Sequence, residues 1–402
     1  MGQSFNGGCP YFPSGTAAYQ TMKHYDVIIL GAGASGLMCA AHVRQNSSLS
    51  VAIIEGNTRP ALKLKASGGG KCNLTNVEVD ESHFLGDENL VKQALSVFGQ
   101  RELLDYFRDG GLRPVIRKER YYFCPKSSDE IISILMGKAS GCDLLLGYKI
   151  LSVEGQNPFV VTTDKGKFTA EKIVVATGGA SYKELGASDI GLKIAQNYGI
   201  KIVPFSPALV GLTLQPKEFW MKELSGISFP ARIHVAGKTL DEDLLFAHKG
   251  ISGLVVLSAS LYWHKGEIVI DFLPDFDVNI LKKEKKSIST AIPLPKRFMK
   301  AFLEAVGLED KACNRLNSEE FEKLLRIRNY AMAPSGTFGF SKAEACRGGV
   351  ACDEINPLTM ESTKIKGLYF IGETVDVTGE LGGYNFQWAF SSGVMCSIAV
   401  ML

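Results

Sequence analysis

The sequence predicts an α/β chain in which a parallel-sheet domain is interrupted by a β-rich, barrel-like insert and then by a helical one. Three observations carry this reading. Residues 25–55 run as strand, glycine turn, helix and strand. Two further short apolar runs, 173–176 and 368–371, each break into a glycine turn, as strands of an open α/β sheet do at their carboxyl ends. Between these two runs the pattern changes, to short alternating strands over 200–273 and to helical spacing over 278–330.

The 25–55 stretch, YDVIILGAGASGLMCAAHVRQNSSLSVAIIE, organises the rest. Gly31, Gly33 and Gly36 stand at G-x-G-x-x-G spacing after a buried run, and Glu55 closes the next one, 19 positions beyond Gly36. Gly31 allows the tight turn, Gly33 lets backbone approach a pyrophosphate, and Gly36 lets helix pack on sheet. A helix starting there offers unpaired N–H groups to the phosphates, and Glu55 can accept from a ribose hydroxyl. With 42 glycines in 402 residues, roughly 0.4 such spacings arise by chance, so the flanking strands and the terminal acid carry the specificity. The stretch means a dinucleotide, without choosing between NAD and FAD.

The length of 402 residues predicts two or three domains. Lys plus Arg total 44 against 42 acidic residues, a net charge of +2 that argues against a dedicated nucleic-acid binder. Nine scattered cysteines without a C-x-x-C fit a reduced, cytoplasmic protein. Residues 1–24 lack a basic start and an apolar run, which reads as an extension rather than a signal peptide. No apolar stretch reaches the ~20 residues of a membrane span. The six histidines are dispersed, so no metal site is expected.

After Glu55, RPALKLKASGGGKCNLTN shows little periodicity. Its glycines at 68–70, with Lys63, Lys65 and Lys71, read either as an anion-binding nest or as a mobile loop. Residues 89–107 are helical, ended by Gly110 and Gly111. The segment 112–124 reads as strand, and Ser128 as the N-cap of a helix. Strands are expected at 143–153, 159–163 and 167–169, the last two forming a hairpin. The run 173–176 breaks into Thr177-Gly178-Gly179, and Ser188 caps a helix ending at Gly199. In the insert, VGLTL, RIHVAG, GLVVLS and EIVIDFL read as strands. The charge run at 282–286 reads as a solvated helix face. At the end of the chain, 388–402 reads as a buried helix.

Taken together, GAGASG with Glu55, SGGGKCNLTN, VATGGASY, FAHKGISG and GLYFIGETVDVTGELGGYNFQWAFSSG resemble a bacterial family of aminoacetone-oxidase-type, NAD(P)/FAD-dependent oxidoreductases. Its relatives include a flavoprotein of gut bacterial bile-acid dehydroxylation. The resemblance spans nearly everything from Tyr25 onward. Departures are Lys71, where the family usually has Arg, and YFCP at 122–125, in place of an arginine and Phe-Pro pattern. The resemblance implies a Rossmann-like FAD domain made of 25–196 and 346–402, with the β-rich insert at 197–275 and the helical one at 276–345. It also implies Gly31, Gly33, Ala34, Ser35 and Gly36 at the pyrophosphate, Glu55 at the adenosine ribose, and Thr177 and Gly178 against the adenine half. Lys63, Gly69, Gly70, Lys71, Cys72 and Asn73 then border the flavin side. Gly372, Glu373 and Asp376 lie against pyrophosphate and ribityl, with Gly383, Tyr384 and Asn385 at the flavin N1 and O2 edge.

The expected activity is FAD-dependent hydride transfer involving NAD(P)H or a small organic substrate of steroid or enoyl type. With no second G-x-G-x-x-G, NAD(P)H is expected only as a transient co-substrate. The alternatives are a flavin-binding redox sensor without turnover and an RNA-modifying flavoenzyme. Acid–base candidates are His248, with a structural role as its alternative, and Tyr384, with a packing role as its alternative. Flanking glycine and lysine predict thiolate character for Cys72.

Overall fold

Short runs of Val, Ile and Leu, too apolar to face water on either side, become the buried centre of a parallel sheet. The computed structural model describes residues 22–402. The expected extension therefore falls outside the described residues except at its end, where Lys23 and His24 already belong to the first strand. That strand, β1 (Lys23–Leu30), leads into helix α1 (Ala34–Asn46) and then β2 (Val51–Glu55). Four more strands of the same sheet precede the insert: β3 (Asp143–Leu146), β4 (Ile150–Gly155), β5 (Phe159–Thr163) and β6 (Gly166–Val175). After the insert come β7 (Leu368–Phe370) and the closing helix α2 (Tyr384–Val400).

The sheet has seven strands, in the order β3-β2-β1-β6-β5-β4, with β7 also on β6. One edge of β6 serves two partners in turn. Its first half pairs antiparallel with β5, Ala170 opposite Phe159, and its second half pairs parallel with β7, Ile173 opposite Leu368. Leu30 lies opposite both Ile54 and Val175, and Val175 opposite Phe370, so four parallel strands end together and their glycine turns share one crevice.

The insert hangs from this domain on a two-stranded antiparallel ribbon, Ile202–Ala208 against Ala345–Val350. It has its own seven-stranded sheet and its own core, in which Phe229, Phe246, Phe272, Phe298 and Phe302 pack together. Tyr330–Met332 and Gly336–Thr337, in the segment expected to be helical, are strands of that sheet.

Other local expectations also change. GLVVLS is part of a helix, Leu254–Tyr262, because a continuous apolar run has no period that separates strand from helix. The runs 167–169 and 173–176 belong to one strand, β6, whereas 143–153 breaks into β3 and β4. Ser128 precedes the helix Asp129–Lys138 without capping it, its hydroxyl donating instead to the carbonyls of Lys65 and Gly70 at 2.9 and 3.2 Å. The 282–286 charge run is solvated as expected, but only its start is helical, in the short 3₁₀ turn Val278–Lys283.

On α1, His42 stacks on Tyr106 with ring centroids 5.1 Å apart, and its Nε2 is buried without a partner. Burial, and then the Lys138 ammonium, push its pKa from 6.5 down to about 4. The unfolded chain therefore binds a proton that the folded one refuses, and stability falls as pH drops from 6.5 towards 4. His42→Phe should reduce the pH slope of stability in that window by up to about 1.4 kcal/mol per unit. Parallel melting temperatures for the variant and the parent across that window would refute this.

Candidate functional site

The crevice is built by steric necessity at two glycines and by open space at a third. At Gly31, with φ +109°, a Cβ would lie 2.4 Å from the Ala176 carbonyl oxygen. A Cβ on Gly36 would lie 2.1 Å from the Gly31 oxygen, so the start of α1 sits directly on the turn. A Cβ on Gly33 would meet nothing within 4 Å. Gly33 is also the N-cap of α1, and no side chain takes up the N–H groups of that first turn, to which Ala34 and Ser35 belong. The result is a shaped gap lined by amide donors, which is what a pyrophosphate requires.

Glu55 stands at the rim, held from both sides. Its Oε2 accepts from the Ala32 N–H at 2.9 Å, and Oε1 from the Asn57 N–H and Nδ2 at 2.8 and 2.9 Å. Each carboxylate oxygen retains acceptor capacity in a fixed direction. Across the crevice, Thr177 Oγ1 is buried with no hydrogen-bond partner. The Gly178 N–H donates to Thr374 Oγ1 at 3.1 Å. Open space at Gly33 and an unpaired polar atom at Thr177 fit an FAD-sized ligand lying along the strand ends.

Lys63 and Glu373 meet here at 2.7 Å. Burial works against the Lys63 charge, but the carboxylate beside it holds the ammonium pKa above its ordinary value. Glu373 also accepts from the Cys346 and Gly179 N–H groups, at 2.8 and 3.3 Å. Gly372 is tied to α2, its N–H donating to Ser392 Oγ and its carbonyl accepting from Trp388 Nε1, both at 3.0 Å. The carboxyl of Asp376 is raised by burial, against a bond from the Gly348 N–H at 3.0 Å.

The glycine segment is more ordered than its sequence suggests. Leu62–Gly70 forms a helical turn that breaks at Ser67 into left-handed backbone at Gly68 and Gly69. Gly69 and Gly70 have open space where a Cβ would stand, and Lys71 is partly exposed. Cys72 corrects the thiolate expectation: it is fully buried, and burial, with Cys124 nearby, raises its thiol well above the usual range. Sequence neighbours suggested an electropositive setting, but the side chain turns into the core, away from the lysines' charge. The Asn73 amide, oriented to donate to the Tyr122 and Thr75 carbonyls, accepts from the Gly383 N–H at 3.3 Å. This segment therefore borders the start of α2. Asn385 is spent on the turn before α2, its amide bonding the N–H and the carbonyl of Gly379, both at 2.9 Å.

Beside Tyr384 lies a cavity of about 410 Å³, walled by the first domain, the 115–123 hairpin and the insert. The His83 ring stacks on Tyr384, centroids 4.6 Å apart, and its Nδ1 lies 3.0 Å from Glu380 Oε2. From the insert, the Tyr262 hydroxyl donates to Glu380 Oε1. Burial first, then the Glu380 carboxylate, raise the pKa of the Tyr262 phenol; burial, with the same carboxylate, raises that of Tyr384. Both phenols are therefore protonated at neutral pH. His83, Tyr262 and Glu380 escaped the sequence reading because no spacing links residues 118 and 297 positions apart. Only Glu380 carried a signal, its place in the GELGGYN segment. His248 is not brought here: it is exposed in the tight turn between Lys238–Ala247 and Gly250–Ser252, outside the cavity lining. Among the described residues no helix is long and apolar enough to cross a membrane.

A family profile described as the HI0933-like protein Rossmann domain matches residues 25–399. A protein of Escherichia coli (strain K12) named ribosomal RNA dihydrouridine synthase is 36% identical over 94% of this chain and 98% of its own length. A 3-dehydro-bile acid delta(4,6)-reductase of Clostridium scindens is 30% identical over 92% of this chain and 98% of its own length. These names correct the narrower expectation of an aminoacetone oxidase, while the bile-acid connection holds. Among solved structures, a quinol-fumarate reductase superposes with a TM-score of 0.51 at 15% identity, covering 94% of this chain and 71% of its own, a likeness of fold.

Proposed function

Because the chain belongs to the family of HI0933-like proteins with a Rossmann domain, we propose that it is an FAD-dependent reductase of a ring carbon–carbon double bond conjugated to a carbonyl, acting on uracil in ribosomal RNA. The names of both relatives describe this one reaction type. Making dihydrouridine saturates the uracil double bond next to a carbonyl, and a delta(4,6)-reductase acting on a 3-oxo steroid saturates ring double bonds conjugated to the ketone. The 36% identity over nearly the whole chain favours the RNA substrate. It outweighs the argument from net charge, which says nothing about local patches.

The observation that carries the reading is the pair of protonated phenols and the half-buried Glu380 in a cavity beside the start of α2. In the proposed arrangement Gly31, Gly33, Ala34, Ser35 and Gly36 hold the pyrophosphate, Glu55 the adenosine ribose, and Thr177 and Gly178 the adenine side. Gly372, Glu373 and Asp376 follow the ribityl chain. Lys63 and the 69–73 segment border the flavin, Cys72 through its backbone alone. The start of α2 at Gly383 and Tyr384 meets the flavin's N1 and O2 edge, with Asn385 as its brace. An FAD held by these residues would supply hydride to the carbon β to the carbonyl, with NAD(P)H as the source of its electrons.

This chain's residues then deliver the proton. Tyr262, protonated and oriented by Glu380, donates to the carbon α to the carbonyl as charge develops there. His83 and Tyr384 fix Glu380 and wall the ring's plane, and the insert keeps water from competing.

The test is anaerobic incubation of the purified flavoprotein with NADH or NADPH and protein-free ribosomal RNA lacking dihydrouridine, followed by nucleoside mass spectrometry. Dihydrouridine should appear in proportion to enzyme turnovers. Reduction of a steroid enone but not of RNA would sink the RNA assignment, and a flavin that neither nucleotide bleaches would favour the redox-sensor alternative.

A further inference from the structure

The hairpin of strands Val115–Arg117 and Tyr121–Phe123 has no part in the chemistry proposed above, yet it stands at the cavity mouth. Every residue from Val115 to Arg120 is exposed, including Ile116 at 52%. Arg113, Arg117, Lys118 and Arg120 surround a single carboxylate, Glu119. Its tip places Lys118 and Glu119 at φ +46° and +59°, where glycine or asparagine would be relaxed. Strain of this kind persists only where the surroundings hold it. Here the holder is Glu242 of the insert, whose one carboxylate pairs with both Arg120 and Lys118, the latter at 3.6 Å. At the hairpin's base the Arg117 and Arg120 guanidinium groups lie over Phe123 and Tyr121, at 4.9 and 4.7 Å from the ring centroids. Cations over aromatic faces, next to a cavity sized for one base, suit a single strand whose phosphates are gripped while one ring enters.

We infer that this hairpin is a phosphate clamp for single-stranded RNA, and that Glu242 occupies its cations in the free protein and yields them to a phosphodiester. The inference rests on the RNA reading above and names the surface that makes a near-neutral chain bind a polyanion. Asp241 and Asp243 flank Glu242 on the insert side. The strand therefore runs along the hairpin's outer face, away from those carboxylates, and reaches the cavity past Arg120 and Tyr121.

The experiment uses the flavin-loaded full chain and a fluorescein-labelled, uridine-containing single-stranded RNA, with Kd measured by anisotropy over a salt series. Arg117→Glu with Lys118→Glu, which spares the cavity lining, should weaken binding about tenfold or more and lower the salt slope by about 1 per lost contact. Glu242→Gln should tighten binding. Flavin absorbance and melting temperature of each variant report its fold. Charge-reversed protein that binds as the parent does, a parent that does not bind RNA, or looser binding by Glu242→Gln would each overturn the inference. Dihydrouridine formation by the parent is scored separately. Charge-dependent binding without product would leave the clamp standing and remove the reaction assigned above.

Discussion

Gly33→Val will purify folded and colourless. Gly33 has φ −81°, a conformation open to any residue, and a Cβ there meets no atom within 4 Å, so the protein alone gives no reason for glycine. In the proposed FAD site the reason is the ligand: a valine side chain would fill the space in which the amides of α1's first turn would hold a pyrophosphate. We expect FAD affinity to drop by about 100-fold or more, equivalent to about 2.7 kcal/mol, with the melting temperature of the apoprotein unchanged. Gly36→Ala provides the contrast. Its methyl group would sit 2.1 Å from the Gly31 oxygen, a backbone atom that cannot swing away, so the apoprotein itself should lose about 1–3 kcal/mol. Visible absorbance relative to protein absorbance reads the first effect, and apoprotein melting reads the second. A fully flavin-loaded Gly33→Val protein would remove the pyrophosphate assignment, and Glu55→Ala, loaded to parental level, would remove that of the ribose.

Tyr262→Phe should cut turnover of the RNA substrate by about 10²- to 10⁴-fold, the range over which a positioned acid contributes. Bleaching by NAD(P)H before substrate is added should proceed at the parental rate, because in the proposed mechanism Tyr262 acts only in protonating the substrate. Without its hydroxyl, Glu380 keeps His83 as its partner, so the cost to the fold is limited to about 1–3 kcal/mol for one partly unsatisfied carboxylate. Because burial and Glu380 raise the phenol's pKa, the parental rate should stay flat through neutral pH and fall only in the alkaline range. A variant that slows bleaching and substrate reduction equally would show that Tyr262 merely shapes the cavity.

Residues 25–55 disclosed their strand–turn–helix–strand fold in one dimension because each part of it is local. The buried runs of β1 and β2 report their surroundings through composition alone, and the glycine spacing reports a turn that no other side chain tolerates. The glycine turns at Thr177-Gly178 and Gly372 were legible for the same reason, and the parallel register brings them together at the strand ends. Where the local signal had no period, the reading failed, as in GLVVLS, which is helical, and in the single strand β6.

Chemistry at the cavity lay beyond that kind of reading. His83, Tyr262 and Glu380 come from a 3₁₀ turn, an insert helix and the approach to α2, and they meet only because the insert folds back over the crevice. The Cys72 thiol is buried in the first domain's own core and His248 is exposed in its turn, neither as its sequence neighbours suggested. Backbone conformation and strand burial depend on residues within a few positions, so the chain's order suffices to reveal the Rossmann-type turn and its strands. Protonation and proximity depend on desolvation and on partners hundreds of positions away, and these exist only once the two cores have packed.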